Sequence, residues 1–196
     1  MKSKLLLIAA AFLLPASAFA AHYAIDPDHS NVTFKVRHLA ISSVSGRFAE
    51  FSGSFDYDPA KIEQSKTEAL IKTVSIDTRQ KKRDDHLRSP DFFDAAQFPE
   101  IKFVSKGIKK ATAEGFELSG DLTMRGVVKP VVLNVEFGGL AKDPFGNERA
   151  AFTATTKLNR KDWGVSWSKV LDSGALVVGD EVSVTLEIEG IQQTAG

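Results

Sequence analysis

Between residues 32 and 190 the sequence keeps returning to one short pattern, in which apolar and polar residues take turns. In VTFKVRH, Val32, Phe34 and Val36 fall on one side of an extended chain and Thr33, Lys35 and Arg37 on the other, with His38 on the apolar side. FELSGDLTM sets Phe116, Leu118, Leu122 and Met124 against Glu117, Ser119, Asp121 and Thr123. EVSVTLEIEG does the same with Val182, Val184, Leu186 and Ile188. A period of two marks a strand with one buried face. Weaker versions cover 46–57, 67–77, 101–108, 128–137 and 150–158, and turn pairs such as Asp58-Pro59, Glu114-Gly115, Gly138-Gly139, Gly146-Asn147 and Gly179-Asp180 separate them. About eight such strands predict an all-β domain, either an antiparallel sandwich or an up-and-down barrel. The barrel is the expectation, because closure removes exposed edges and leaves an interior that can hold one small ligand.

Two segments break the alternation. Arg79 to Arg88 has helical composition, with Thr78 as the expected N-cap and Pro90 as the stop. At about 100° per residue, Arg79, Arg83, His86 and Leu87 share one face. Lys81, Asp84, Asp85 and Arg88 lie opposite, with Asp84 and Arg88 at ion-pair spacing. The first face is cationic with an apolar neighbour and suits a polar headgroup joined to a hydrophobic tail, although charge runs on short helices are more often solvated surface. The aromatic pair Phe92–Phe93 follows directly. Val165 to Val178 is apolar and Gly-interrupted, too greasy for a solvated loop and too broken for a strand. It is expected at the barrel mouth or as a cover over it.

The N-terminus belongs to none of this. Lys2 and Lys4, the apolar run Leu5–Leu14 and the small-residue triplet Ala18-Phe19-Ala20 read as an export signal. A run this short does not span a bilayer, which needs about 20 apolar residues. Residues 1–20 are therefore set aside, and 21–196 are expected to form a single domain outside the cytoplasm, in the periplasm. Cleavage before His22 is the alternative. The chain carries 25 basic and 25 acidic residues, and the leader removes two of the lysines, so the remainder leans acidic and lacks the basic face that nucleic acid requires. There are no cysteines. Disulfide staples, thiolate metal sites and thiol nucleophiles are thereby excluded.

Four blocks carry a family resemblance. RDDHLRSPDFFDAAQFPEIKF (83–103), GDLTMRGVVKPV (120–131), NRKDWGVSW (159–167) and VGDEVSVTLEIEG (178–190) together resemble the YceI-like family of exported polyisoprenoid-binding proteins. The resemblance implies a lipocalin-like antiparallel barrel with a short helical insertion, whose interior takes a long isoprenoid or similar amphiphilic lipid. It implies binding without a chemical reaction and without a cofactor. At the matching positions it places Arg83 and His86 by the headgroup and Phe92 and Phe93 by the tail. The inward sides of the alternating strands add Phe34, Phe103, Leu118 and Leu122 to the tail candidates. A tail of about 40 carbons, at about 0.3 kcal/mol per heavy atom after ordering costs, gains on the order of 12 kcal/mol, close to nanomolar affinity.

Two other readings stay open. One is an enzyme acting on a lipid or quinone, with His86 as general base and Asp84 or Asp85 orienting it, although both aspartates point away from His86 on the wheel. The other is a barrel filled by its own side chains that serves as a stress-responsive interaction module. Asp28-His29-Ser30 has the residue types of a hydrolase triad, but consecutive residues of an extended chain diverge. A metal site joining His38 and His86 lacks ligand spacing, and a buried, hydrogen-bonded His38 is the expectation. Assembly as a homodimer is left open.

Overall fold

The computed structural model describes residues 20–171, 174 and 176–193, so the expected leader lies outside the described residues apart from Ala20. Eleven strands run in chain order: β1 (Ala21–Ile25), β2 (Asn31–His38), β3 (Ser42–Phe48), β4 (Phe51–Tyr57), β5 (Lys66–Lys72), β6 (Ile76–Asp77), β7 (Glu100–Lys109), β8 (Gly115–Met124), β9 (Val127–Lys142), β10 (Glu148–Asn159) and β11 (Val178–Gln192). The single α-helix among the described residues, α1 (Lys81–Arg88), lies between β6 and β7.

Pairing reduces these eleven strands to eight ribbons. β11 pairs with β2 over its first part and with β1 over its last, so β1 and β2 are one ribbon broken at 26–30. β3 and β4 both pair with that ribbon and form the next, and β5 with β6 form the third. Backbone bonds bridge the remaining breaks, Ala49 N to Ser75 O at 3.1 Å and Lys72 N to Glu50 O at 2.9 Å. Each ribbon then pairs antiparallel with its sequence neighbour, and β11 returns to β1. The result is a closed, eight-stranded, up-and-down antiparallel barrel with one short helix.

Each alternating segment of the sequence lies in its own ribbon. The one strand the alternation did not single out is β1, where Ala21, Tyr23 and Ile25 pack against an inner aromatic cluster. Its five residues follow directly on the leader, and so short a run carries little period. Inside the barrel, the larger core cluster groups Ile76, Phe103, Leu118, Leu133 and Trp163 among others. The smaller one closes the end away from α1: Tyr23 stacks on Phe55 with ring centroids 5.1 Å apart, and Tyr57 and Phe137 close on Phe152 at 5.1 and 5.4 Å.

The helix differs from expectation at its start. Arg79 has a left-handed φ of 62°, which no helical residue adopts, so α1 begins at Lys81. Gln80 is the N-cap, its Oε1 accepting from Arg83 N at 2.8 Å. Thr78 instead bonds Asp84, donating to Oδ1 through its backbone N–H at 2.9 Å and its hydroxyl at 2.5 Å. That pulls Asp84 into a buried position and removes it from the expected pair with Arg88. Arg88 pairs with Asp85 at 3.2 Å and donates to the carbonyls of Val74 and Ile76, each at 2.7 Å.

Candidate functional site

Closing a sheet of period-two strands leaves one continuous set of side chains inside. Here they surround an elongated cavity of about 270 Å³, between the aromatic cluster at one end and α1 at the other. Phe34, Phe92, Phe93, Phe103, Leu118 and Leu122 all border it. The strand members arrive there by alternation. Phe92 and Phe93 arrive because Pro90 ends the helical run and two backbone bonds, Phe92 N to Ser89 O and Phe93 N to Leu87 O, each 3.0 Å, turn the chain back.

Rings of this size would fill the lumen if they pointed across it. Two are instead held against the wall by glycines. Gly46 is the register partner of Phe34, and a Cβ there would collide with Phe34 Cζ. Gly120, two residues along β8 from Leu122, the register partner of Phe103, likewise lies under a ring: a Cβ there would collide with Phe103 Cζ. A flat ring over a glycine keeps the axis of the barrel open.

The two headgroup candidates do not border the cavity. The Arg83 side chain turns back on Thr78, donating from Nε to Oγ1 at 2.7 Å and from Nη2 to the carbonyl at 2.8 Å, and the residue is exposed. His86 is half-buried, its ring edge-on to Phe92 and Trp167 at 5.0 Å each, with Nε2 2.8 Å from Asp91 Oδ2. Of the face that carries Arg83, His86 and Leu87, only Leu87 reaches the cavity. The Thr78–Asp84 bonds set the rotation of the helix, and so short and polar a helix has no apolar stripe to override them. The histidine's carboxylate partner is thus Asp91, and neither Asp84 nor Asp85.

The cation that does border the cavity is Arg160, in the 3₁₀ turn Arg160–Trp163 after β10. Its residue is 5% exposed, and burial pushes the guanidinium pKa down from its ordinary value. It donates to the carbonyls of Val165 (2.6 Å), Gly179 (2.9 Å) and Val178 (3.2 Å), and to Asp180 Oδ1 at 3.1 Å. A guanidinium has five N–H groups, and these contacts use four. Asn159 caps the turn, accepting from Lys161 N at 3.1 Å, and Trp163 donates to Leu122 O at 3.0 Å. That asparagine before Arg-Lys-Asp-Trp is the signal in the sequence that could have found the site. At the opposite end Ser65 borders the cavity with its Oγ buried and unpartnered. Val165 and Val178, the ends of the expected cover, also border it, while Asp172, Ser173 and Ala175 lie outside the described residues.

The remaining constellations have structural partners. His29 Nδ1 lies 2.8 Å from Asp26 Oδ2 and not on Asp28, and Ser30 Oγ accepts from Glu189 N at 2.9 Å. His38 is only half-buried, at the end of β2. Among the described residues, Asp26, His29 and Glu189 are the one group whose donor atoms come within metal-binding distance of one another. Arg149 occupies that place, its Nη1 2.8 Å from Asp26 and 2.5 Å from Glu189.

These features define a closed antiparallel β-barrel around an apolar cavity. The chain belongs to the YceI-like family: the model of the YceI-like domain matches residues 23–190. A UPF0312 protein of Azotobacter vinelandii is 40% identical over 96% of this chain and 96% of its own. The YCEI protein of Campylobacter jejuni, solved by crystallography, is 35% identical with a TM-score of 0.69, over 81% of this chain and 90% of that one. A polyisoprenoid binding domain from Saccharophagus degradans, implicated in plant cell wall breakdown, shares the fold at a TM-score of 0.65 and 15% identity, over 89% of this chain and 99% of its own.

Proposed function

We propose that this protein is exported to the periplasm and there holds a long, apolar-tailed lipid of the isoprenoid class, such as a polyprenyl or quinone tail, as a carrier in envelope lipid handling. The observation that carries the reading is the cavity itself, an apolar lumen inside the closed barrel, bordered by phenylalanine and aliphatic faces, with one cation, Arg160, at its α1 end among the described residues. The polyisoprenoid binding domain of Saccharophagus degradans has the same fold. His86 does not border the lumen, which counts against reading it as a general base acting there. The polar end of the ligand meets the spare N–H of Arg160, and the tail runs toward the aromatic cluster.

At about 270 Å³ the cavity sits just under the roughly 300–1,000 Å³ range of ligand pockets. Loading therefore widens it, and the inner phenylalanine rings that border it are the parts able to move. Protein exported natively and purified without detergent or denaturant should release a long-chain prenyl lipid on solvent extraction, identified by mass spectrometry. A clean spectrum, together with no uptake of added prenyl alcohol, would make this the self-filled barrel instead.

A further inference from the structure

We propose that the α1 end of the barrel docks on the surface of a bilayer containing anionic phospholipid. Two exposed apolar tips stand at this end: Ile41 is 80% exposed in the β2–β3 turn, and Val170 is 68% exposed in the connection before β11. One backbone bond, Leu39 N to Val177 O at 3.1 Å, ties the two connections together. The turn that presents Ile41 is costly to form. Leu39 and Ala40 both have left-handed φ, 53° and 60°, and Ile41 N donates to His38 O at 3.2 Å across them. Such a turn favours Asn and Gly, not Leu and Ala, so a strained and greasy tip is held out toward solvent.

Charge surrounds these tips. Arg37, at the foot of the turn, and Lys82 and Arg83 on α1 are exposed, and none bonds a carboxylate among the described residues. Lys169, beside Val170, is exposed as well. Apolar side chains that enter the headgroup region, ringed by cations that meet anionic headgroups, are the two parts of interfacial binding. The far end has an exposed apolar residue too, Phe145 at 89%, but the charges flanking its turn are already paired, Asp143 with Arg149 and Glu148 with Lys142, and among the described residues leave no free cation there for an anionic headgroup. Charge complementarity therefore selects the α1 end. On the proposed function, this is also the end at which Arg160 meets a headgroup, so docking would bring the lumen to its source of lipid.

The test is flotation of the chain from residue 21, which contains every strand of the barrel, with vesicles of phosphatidylcholine alone or mixed with phosphatidylglycerol. The protein should float with the mixed vesicles, poorly with phosphatidylcholine, and be released by salt. Ile41→Ser and the double variant Arg37→Glu with Lys82→Glu should each bind the mixed vesicles about tenfold more weakly at unchanged melting temperature, the scale expected for losing interfacial burial or surface charge. Phe145→Ser should bind like the parent. The proposal is overturned if the parent does not float, if the α1-end variants float like it, or if Phe145→Ser is the variant that is released. It is also overturned if the variants abolish self-association with no change in flotation, which would make the patch a contact between copies. Uptake of farnesol from solution is read in parallel, and its failure in a protein that still floats would count against the lumen and not against docking.

Discussion

Asp84 and Asp85 are neighbours of the same charge, yet the fold treats them oppositely. Asp84 is 6% exposed and accepts two hydrogen bonds from Thr78, whereas Asp85 lies on the surface between Lys81 and Arg88. Asp84→Ala leaves the Thr78 donors buried and unpaired and should cost about 1–3 kcal/mol in urea unfolding. Asp85→Ala should change stability far less, as the loss of an exposed ion pair does. Equal losses would mean that helix charge, and not the buried bond, anchors α1. Phe103 poses the matching question inside the lumen. Phe103→Asp puts a carboxylate against an apolar cavity and should abolish retention of prenyl lipid. A folded variant that retains it normally would place the tail elsewhere.

At the level of strands, a glycine and a ring on neighbouring strands act as one unit. Phe34 on β2 lies over Gly46 on β3, and a methyl group at Gly46 meets the ring and Thr78 together. Gly46→Ala should therefore drive the Phe34 ring toward the axis. Overpacking of this kind costs about 1–3 kcal/mol, and prenyl uptake should fall with it. Adding Phe34→Leu to Gly46→Ala should restore both properties. Failure of that rescue would show that Gly46 matters for strand geometry and not for keeping the lumen open. The same coupling explains why counting phenylalanines could not size the cavity, since volume depends on what each ring lies against.

For the whole molecule, the barrel is closed near the β1–β11 seam by an ion cluster that replaces any covalent staple. Arg149 bonds Asp26, Glu189 and Asp143, the last at 3.0 Å. Its hydrogen bond is the chief reason that Asp26 sits below its ordinary carboxylate pKa. Asp143 is also lowered, first by the Asn147 side chain. A carboxyl whose folded pKa is depressed contributes fully above its unfolded value and loses that contribution as pH falls through the folded one. Stability should thus hold near neutrality and decline below about pH 5. Arg149→Met should lower stability at pH 7, because it leaves the carboxylates of Asp26 and Glu189 side by side without their shared cation. It should also flatten the acid limb, leaving the part due to the surface carboxylates Asp77 and Asp85. An acid limb as steep as the parent's would remove the cluster from that role.

Alternation alone was enough to place Phe34, Phe103, Leu118 and Leu122 on the inner face, because a period of two states which side of a strand is dry. Pro90 likewise marked where the helical run ends. Alternation is silent about partners. Closure rests on Tyr23 meeting Gln192 and Ile25 meeting Gly190, pairs at opposite ends of the chain. The rotation of α1 was not legible either, because a helix without an apolar stripe is oriented by one buried bond, Thr78 to Asp84, and that bond took Arg83 and His86 away from the lumen. Arg160 was hidden for the same kind of reason. An arginine tolerates burial only where carbonyls and a carboxylate converge on it, and those of Val165, Val178, Gly179 and Asp180 come together only when the chain returns from its 3₁₀ turn into β11.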